Sequence, residues 1–222
     1  MYHIALDGPS GAGKSTVAKE LAKRLNIIYV DTGALYRTIG YYAFSHSISK
    51  DDNAAVIASL EKIKIEMVYE NGVQKVYLNG EDLGDRIRLP EISMYASAVS
   101  AIPEVRRFLL GTQRDIAKVN SVIMDGRDIG TVILPNAEVK IFLTASLETR
   151  AKRRYEELIA KGKSVTYEDV YDDMFVRDNN DSSRAEAPAI PADDAIILDN
   201  SELDFEQSIQ AILAIVNEKI SL

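Results

Sequence analysis

Gly8-Pro9-Ser10-Gly11-Ala12-Gly13-Lys14-Ser15 is the stretch of sequence that decides the fold. It matches the pattern G-x-x-x-x-G-K-[ST] and lies between a short apolar run, residues 4–6, and a helical pattern that begins near Val17. Glycines let the backbone curl, so that its N–H groups and the positive end of the following helix can hold a phosphate. The order strand, glycine-rich turn, helix therefore predicts a nucleotide-phosphate site. The alternative is a turn that only packs a helix on a strand.

Two residues at the end of this stretch have specific predicted roles. The pattern places Lys14 where its amine reaches the β- and γ-phosphates of a nucleotide. It places the hydroxyl of Ser15 where it coordinates Mg²⁺, with water and phosphate oxygens as the other ligands. The stretch therefore predicts Mg²⁺ as a cofactor.

Composition narrows the class of protein. The chain has 222 residues, which supports one domain of ordinary size with lobes or insertions. It has no cysteine, which excludes disulfides, thiolate nucleophiles and zinc held by cysteine. The net charge of −8 argues against a protein that binds duplex nucleic acid. No apolar run approaches the ~20 residues of a membrane span, and the N-terminus enters a strand without a basic leader, so we expect a cytoplasmic protein.

The order of predicted elements indicates an α/β fold with a central parallel sheet of about five strands flanked by helices. Strands are predicted at 2–7, 27–30, 121–124, 138–144 and 195–198. Helices are predicted at 13–25, 34–45, 51–62, 90–101, 103–119, 147–160, from 166 to near Arg177-Asp178, and from 204 onward.

A different pattern interrupts this order between residues 63 and 85. Residues 64–70 alternate with a period of two, Asn71-Gly72 is a hairpin signal, and 73–78 form the predicted return strand. A second turn at Asn79-Gly80 precedes a short piece near 81–83. The pattern predicts a small antiparallel insert, which is either a decoration or a unit that moves over a substrate.

Further polar sets follow predicted strands or lie on the helices beside them. They are the segment 31–37, the pair Ser97 and Arg106, the segment 125–128, and the trio Arg177, Asp181 and Arg184. Ligands of open α/β sheets bind beyond the carboxyl ends of the strands, so these positions matter as much as the residue types. Each set has an ordinary structural explanation, such as a helix cap or an i,i+4 ion pair. Together they favour a pocket that binds two anions.

The basic helix at 150–154 is open to two interpretations. It carries Arg150, Lys152, Arg153 and Arg154, and such a run is most often a solvated face. The glycine-containing turn at 161–163 that follows it is also typical of a mobile lid, which would swing arginines onto transferring phosphates. Arginine suits that task because its planar fork matches phosphate oxygens.

The motifs taken together resemble those of bacterial cytidylate kinases. The resemblance rests on Gly8–Thr16, Asp31-Thr32-Gly33-Ala34-Leu35-Tyr36-Arg37, Asp125-Gly126-Arg127-Asp128-Ile129-Gly130-Thr131 and the Arg177, Asp181, Arg184 spacing. It runs essentially from end to end, and the predicted insert is similar to the extra sheet of the bacterial branch. The glycine-rich stretch of residues 8–15, known as the P-loop, is shared by many families. The other motifs in combination are far more specific.

The resemblance implies phosphoryl transfer from ATP to CMP or dCMP on a P-loop kinase fold, and it assigns roles to residues. The residues implied to bind ATP are Gly8, Pro9, Ser10, Gly11, Ala12, Gly13, Lys14, Ser15 and Thr16. Those implied to bind the acceptor are Thr32, Tyr36, Arg37, Ser97, Arg106, Arg127, Asp128, Arg177, Asp181 and Arg184. Arg37 and Arg127 would hold the α-phosphate, and Arg177 and Asp181 the sugar. Thr32, Ser97, Arg106 and Asp128 would line the cytosine pocket with Arg184 as support. Lys14, Arg127, Arg150 and Arg154 are the implied catalytic residues.

The resemblance also implies an organisation of the chain. It predicts one P-loop kinase domain with its core at 1–32, 86–145 and 185–222, a monophosphate-binding region at 33–85 and a lid at about 148–170. The substrates are the only partners expected. No hydrophobic stripe is left over after the core is assigned, so a monomer is expected.

The chemistry of the bases agrees with this assignment. Cytosine presents an amino donor beside two acceptors, which suits a carboxylate such as Asp128 and a donor such as Arg106. Uracil presents a carbonyl to that carboxylate and leaves a buried polar group unpaired, at a cost of ~1–3 kcal/mol. A preference for CMP over UMP follows.

Other functions remain open to the sequence. One is a P-loop kinase of UMP, AMP or a metabolite such as shikimate. Another is a nucleotide-binding regulatory switch, against which stand the absence of an N-K-x-D motif and the second arginine-rich set. A purely structural protein is the weakest alternative.

Overall fold

The computed structural model describes residues 1–70 and 73–220. The predicted hairpin turn at Asn71-Gly72 lies outside the described residues. Eight helices are described: α1 (Lys14–Leu25), α2 (Thr32–Ser45), α3 (Asn53–Ser59), α4 (Pro90–Val99), α5 (Pro103–Ala117), α6 (Leu147–Ala160), α7 (Tyr167–Ser182) and α8 (Phe205–Ile220). Eight strands are described: β1 (His3–Asp7), β2 (Ile28–Asp31), β3 (Ile65–Glu70), β4 (Val73–Leu78), β5 (Glu81–Asp82), β6 (Val122–Gly126), β7 (Val139–Thr144) and β8 (Ile196–Asp199).

The chain divides into two compact units. The first consists of Met1–Ile27 and Ser121–Leu222, and the second of Ile28–Asn120. The predicted division into core, monophosphate-binding region and lid is drawn by function rather than by contacts, and it stays a prediction.

A five-stranded sheet in the order β2-β6-β1-β7-β8 confirms the predicted α/β class. Its strands β6, β1, β7 and β8 belong to the first unit and pair in parallel, with Ala5 of β1 opposite Met124 and Lys140. The apolar side chains of β1, Ile4, Ala5 and Leu6, are fully buried, as expected for a central strand covered on both faces. Because the strands are parallel, their carboxyl ends meet at one edge, where Asp7, Asp125 and Gly126 lie.

The second unit is organised around α2 and contains the predicted antiparallel insert. Strands β3, β4 and β5 form a three-stranded antiparallel sheet, in which Ile65 faces Leu78 and Tyr77 faces Asp82. Apolar side chains from α2, α4, α5 and the insert form one core, which includes Leu35, Ile39, Val56, Val76, Leu83, Val99 and Leu109.

Local differences from the sequence predictions have physical reasons. The prediction that the helix before Arg184 ends near Arg177-Asp178 was wrong, because α7 continues to Ser182. Its last turn holds Asp181, whose buried carboxylate is bonded to two arginines of the first unit. The predicted helix 51–62 is the shorter α3 followed by a 3₁₀ turn, Leu60–Lys62. The π-helical turn Ile129–Ile133 was not predicted.

Within 1–70 and 73–220, no helix combines the length and the apolar character that crossing a membrane requires.

Candidate active site

The phosphate-binding loop connects β1 to α1, and two of its glycines are required by its shape. Gly8 has φ 145°, and a Cβ at this position would lie 2.0 Å from the carbonyl oxygen of Leu143. Gly13, at the N-cap of α1, has φ 87°, in the left-handed region that favours glycine. The first glycine therefore permits a close approach to β7, and the second permits the turn into the helix.

Side chains hold the loop through its carbonyl oxygens. The carbonyl of Pro9 accepts from Lys14 Nζ at 2.7 Å, and that of Ser10 accepts from Arg150 Nη1 at 3.0 Å. The carbonyl of Ala12 accepts from Asn200 Nδ2 at 3.1 Å. The loop is thus supported on its acceptor groups, which suits its N–H groups to binding an anion.

Lys14 is a buried cation. Its amine donates to the loop carbonyl of Pro9, and only 6% of the residue is exposed. Burial, together with the nearby charges of Arg127 and Arg177, holds the pKa of the Lys14 amine well below its usual value, although Asp125 and Asp7 oppose the shift. An anionic phosphate at this position would favour the charged amine.

Ser15 and Asp125 form an oxygen pair at the start of α1. The hydroxyl of Ser15 donates to Asp125 Oδ2 at 2.5 Å, and the carboxylate lies buried at the end of β6. A hydroxyl and a carboxylate are ligands that suit Mg²⁺, which prefers oxygen ligands and keeps several waters. The residues present therefore fit the predicted metal, with Asp125 as a second group beside Ser15.

An arginine–aspartate cluster follows β6. Asp181 Oδ2 accepts from Arg127 Nε at 2.9 Å, and Asp181 Oδ1 accepts from Arg184. Burial alone would raise the pKa of Asp181, but the charges of Arg127, Arg184 and Arg177 outweigh it and hold the pKa below its usual value. Arg177, one turn earlier on α7, donates to the hydroxyl of Ser10 at 3.3 Å. The cluster carries more positive than negative charge, as an anion site requires.

The second unit contains its own arginine pair. Asp31 caps α2 by accepting from the amide of Ala34 at 3.0 Å. The same carboxylate lies 3.4 Å from Arg37 and 3.3 Å from Arg88. Two guanidinium groups therefore share one carboxylate. Sequence reasoning identified Arg37 and missed Arg88, which lies in a 3₁₀ turn outside any motif.

The predicted base-binding residues of the second unit lie on α2, α4 and α5. Thr32 and Tyr36 are buried on α2. The guanidinium of Arg106 lies 5.5 Å from the centre of the Tyr36 ring and donates to the carbonyl of Ser100 at 3.0 Å. Ser97 lies one turn before Ser100, and its backbone carbonyl accepts from the hydroxyl of Ser100 at 2.8 Å. The structure thus brings Tyr36 and Arg106 together.

The arginines of the predicted lid differ from one another. Arg150 is buried, and besides the carbonyl of Ser10 it binds the carboxylate of Asp178 at 2.5 Å. Arg153 donates to the side chain and carbonyl of Asn200 at 3.1 and 2.9 Å. Arg154 is half-exposed and pairs with Glu157 at 2.7 Å. Of the two lid arginines that were predicted to be catalytic, Arg150 supports the phosphate-binding loop, and Arg154 lies on the surface of α6.

Comparison with known proteins decides the family. The model of the family described as Cytidylate kinase matches residues 4–218. The chain belongs to the cytidylate kinase family. Among relatives, a cytidylate kinase of Caldicellulosiruptor bescii is 49% identical over 211 residues, covering 95% of this chain and 93% of the relative. A cytidylate kinase of Thermosipho melanesiensis is 48% identical over 219 residues, covering 99% and 98%. The resemblance inferred from the motifs is confirmed.

Solved structures support the fold of this cytidylate kinase family member. A gluconokinase from Sinorhizobium meliloti superposes with a TM-score of 0.50 at 14% identity, covering 99% of this chain and 94% of the other. An uncharacterised protein from Eubacterium ventriosum gives a TM-score of 0.53 at 15% identity, covering 98% and 99%. At such identities the likeness concerns the fold alone.

Asp7 and Asn200 are polar residues at strand ends that sequence reasoning missed. Asp7 is the last residue of β1, directly before the loop, and Asn200 follows β8. The rule that selected Asp31 and Asp125, a polar residue at the carboxyl end of a strand, applies equally to both. Their contacts could not be predicted from the sequence, because their partners are distant along the chain. Asp7 accepts hydrogen bonds from the amides of Ile129 and Gly130, and Asn200 donates one to the carbonyl of Ala12.

Proposed function

We propose that this chain transfers the γ-phosphoryl group of ATP to CMP or dCMP, giving ADP and CDP or dCDP. Membership of the cytidylate kinase family supports this reaction. The structural observation that carries it is the presence of arginine sets beyond the phosphate-binding loop: the Arg127–Asp181–Arg184 cluster and the Arg37–Arg88 pair. A protein that only binds and hydrolyses a nucleotide has no need of a second set of anion-binding residues.

In this proposal the donor nucleotide is held by Gly8–Thr16. The loop N–H groups bind the phosphates, and Lys14 supplies positive charge at the β- and γ-phosphates. Ser15 would hold Mg²⁺ and Asp125 would bind it directly or through water, and the ion would neutralise developing phosphate charge. The 2.5 Å contact between the two side chains supports the pairing.

The acceptor phosphate is assigned to Arg37 and Arg127. Arg127 is oriented by Asp181, which accepts from its Nε, and Arg37 by Asp31. Guanidinium groups held in this way lose little entropy when they bind phosphate oxygens. Arg177 and Asp181 are assigned to the sugar.

The cytosine base is assigned to Thr32, Ser97, Arg106 and Asp128, with Tyr36 and Arg184 as neighbours. Asp128 is buried, so an unpaired acceptor facing it would be costly. Its carboxylate accepts from the amino group of cytosine, and Arg106 donates to the ring acceptors.

Catalysis in this proposal consists of alignment and electrostatic stabilisation, without a covalent intermediate. Lys14 and Arg127 supply positive charge to the transferring group. Arg154 is assigned to the closing lid. Arg150 contributes in one of two ways: it breaks its ion pair with Asp178 and binds phosphate itself, or it holds Ser10 in place. Its contacts with the carbonyl of Ser10 and the carboxylate of Asp178 support the second role. Closure of the lid would keep water from the phosphoryl group.

The proposal extends to the setting of the enzyme. We propose a cytoplasmic monomer whose partners are its small-molecule substrates, without nucleic acid or membrane. Kinases of UMP, AMP or shikimate, and a regulatory switch, are not favoured by the family.

The preference for cytosine tests the acceptor site. In Asp128→Ala the ratio of kcat/KM for CMP to that for UMP should fall by about 5- to 150-fold, because the mismatch with uracil costs ~1–3 kcal/mol in the native pocket. Steady-state assays of ADP release with both acceptors measure the ratio, and Asp115→Ala on the exposed face of α5 is the matched control. An unchanged ratio in Asp128→Ala would remove Asp128 from base recognition.

A further inference from the structure

The segment that follows Asp128 begins with an unusual cap. Asp128 occupies the N-cap position of the π-helical turn Ile129–Ile133, and aspartate at this position ordinarily accepts from the first N–H groups of the helix. Within the described residues, the Asp128 side chain makes no such capping bond. Its backbone carbonyl instead accepts from the amides of Val132 and Ile133 at 2.9 and 3.2 Å.

A carboxylate from another element takes the place of this cap. Asp7 Oδ1 accepts from the amide of Ile129 at 2.8 Å, and Asp7 Oδ2 accepts from the amide of Gly130 at 2.7 Å. Asp7 is the last residue of β1, 122 positions before Ile129, and only 5% of it is exposed. Both oxygens of one buried carboxylate thus accept from the first two N–H groups of the turn, which belong to the groups that a helix start leaves without partners in itself.

The space at Gly130 fits this arrangement. A Cβ on Gly130 would lie 3.5 Å from Asp7 Oδ2 and 3.2 Å from the side chain of Lys140. The backbone of Gly130 therefore packs closely between the carboxylate of Asp7 and the side chain of Lys140. The turn is stabilised by its own hydrogen bonds and also by those that it donates to Asp7 of β1.

We infer that Asp7 is a positioning residue for acceptor recognition: by capping the 129–133 turn it keeps the carboxylate of Asp128 from capping that turn and holds it for the base. This inference rests on the proposed function, because it gives Asp128 the role of reading the amino group of cytosine. Asp7 itself touches neither substrate in this account. It acts through the direction in which the Asp128 side chain is held.

Electrostatics supports the arrangement. Burial raises the pKa of Asp7, the two backbone N–H groups and Lys14 lower it, and the charge of Asp128 raises it again. The charges of the Asp7 and Asp128 carboxylates therefore repel each other. That repulsion disfavours a rotation of Asp128 back onto its own turn.

The variant Asp7→Asn distinguishes a role in positioning Asp128 from a role in stabilising the 129–133 turn alone. Asparagine keeps one acceptor oxygen but sets an NH₂ group against one backbone N–H, and it removes the repulsion. The carboxylate of Asp128, at the N-cap, can then accept from a backbone N–H of the turn and lose its contact with the amino group of cytosine. Asp204→Asn is the matched control, because Asp204 also caps a helix of the same unit by accepting from the amide of Gln207 at 2.8 Å.

The readout is the ratio of kcat/KM for CMP to that for UMP, in the full chain with Mg·ATP. We expect the ratio to fall at least about fivefold in Asp7→Asn, the loss of about one hydrogen bond, and to stay at the native value in Asp204→Asn. In the double variant Asp7→Asn/Asp128→Ala, the ratio should equal that of Asp128→Ala alone, since Asp7 acts through Asp128. A native ratio in Asp7→Asn would overturn the inference, as would a double variant whose loss is the product of the two single losses.

Amide hydrogen exchange in the wild-type chain decides the matter if Asp7→Asn fails to fold. We expect the amides of Ile129 and Gly130 to exchange as slowly as those of strand β1. Rapid exchange, as in an exposed loop, would overturn the inference. Absence of CMP turnover in the wild type would refute the proposed function and with it the recognition role. A CMP preference that survives in Asp7→Asn refutes the role of Asp7 alone.

Discussion

At the scale of single residues, Lys14 combines burial with charge at the phosphate-binding loop. Its amine is bonded to the carbonyl of Pro9, and its pKa is held low by burial and by Arg127 and Arg177. Such a cation is costly in the free protein and becomes favourable beside phosphate. This is the property expected of a group that stabilises transferring charge.

Replacing Lys14 should therefore affect chemistry more than folding. In Lys14→Ala, kcat for ADP release with CMP should fall by at least about 100-fold, the usual loss when one preorganised charge is removed. Lys23→Ala, at an exposed lysine near the other end of α1, should keep native kcat. An active Lys14→Ala enzyme would exclude the proposed role.

Asp7 makes stability depend on pH in a specific direction. Its pKa is raised to about 6, chiefly by burial, whereas an aspartate in the unfolded chain has its ordinary value of 3.8. The folded state thus binds a proton that the unfolded state has released, so the free energy of unfolding falls as the pH rises from about 4 to about 6. Charge on Asp128 adds to this effect, and Lys14 opposes it.

The comparison with Asp7→Asn isolates this contribution. The free energy of unfolding of the wild type, relative to that of Asp7→Asn, should fall by up to about 3 kcal/mol between pH 4 and pH 7. Urea titrations at several pH values measure the difference. A difference between the two proteins that does not change with pH, or that grows with pH, would contradict the raised pKa.

At the scale of elements, the sequence predicted whether a segment is a helix or a strand better than it predicted the residue at which the element ends. The glycine-rich loop, the buried strands and the antiparallel insert were predictable because their residue patterns are local. The end of α7 was not, since its last turn is held by bonds from Asp181 to Arg127 and Arg184, a contact across 54 residues in the first case. The π-helical turn after Asp128 was missed for the same reason, because its cap comes from β1.

The site shows the same division. Lys14, Ser15, Arg37 and Asp128 could be proposed as site residues because each lies in a motif. Asp7 and Asn200 fit the strand-end rule, but their partners, the 129–130 backbone and Ala12, are set by the fold. Arg88 lies in no motif, and its partner Asp31 is likewise set by the fold.

The antiparallel insert contacts the backbone of Asp31 within the second unit. Gln74 of β4 accepts from the amide of Asp31 at 2.8 Å and donates to the carbonyl of the same residue at 3.1 Å. Tyr69 of β3 lies beside them, and burial and the charge of Asp31 raise its pKa. The insert therefore helps to fix the residue that orients Arg37.

Loss of this contact should weaken acceptor binding. In Gln74→Ala, KM for CMP should rise about fivefold, since one hydrogen bond contributes about 1 kcal/mol, while KM for ATP stays native. Gln210→Ala, on α8, removes an exposed glutamine whose partner is Glu206 and serves as the control. A parallel rise of both KM values, or of neither, would contradict the specific link between the insert and the acceptor.

At the scale of the whole molecule, an acidic chain binds anionic substrates by concentrating its arginines. The net charge is −8, yet Arg127, Arg177 and Arg184 surround a single carboxylate, and Arg37 and Arg88 share another. Local clusters of this kind create a positive site on a negative protein. Each of the two units contains one such cluster.

One assay decides whether this enzyme phosphorylates CMP and dCMP. ADP release is measured with Mg·ATP and each of CMP, dCMP, UMP, AMP and shikimate as acceptor. We expect fast turnover with CMP and dCMP and weak turnover with UMP. Preferred turnover of another acceptor, or slow ADP release that is indifferent to every acceptor, would contradict the proposed activity.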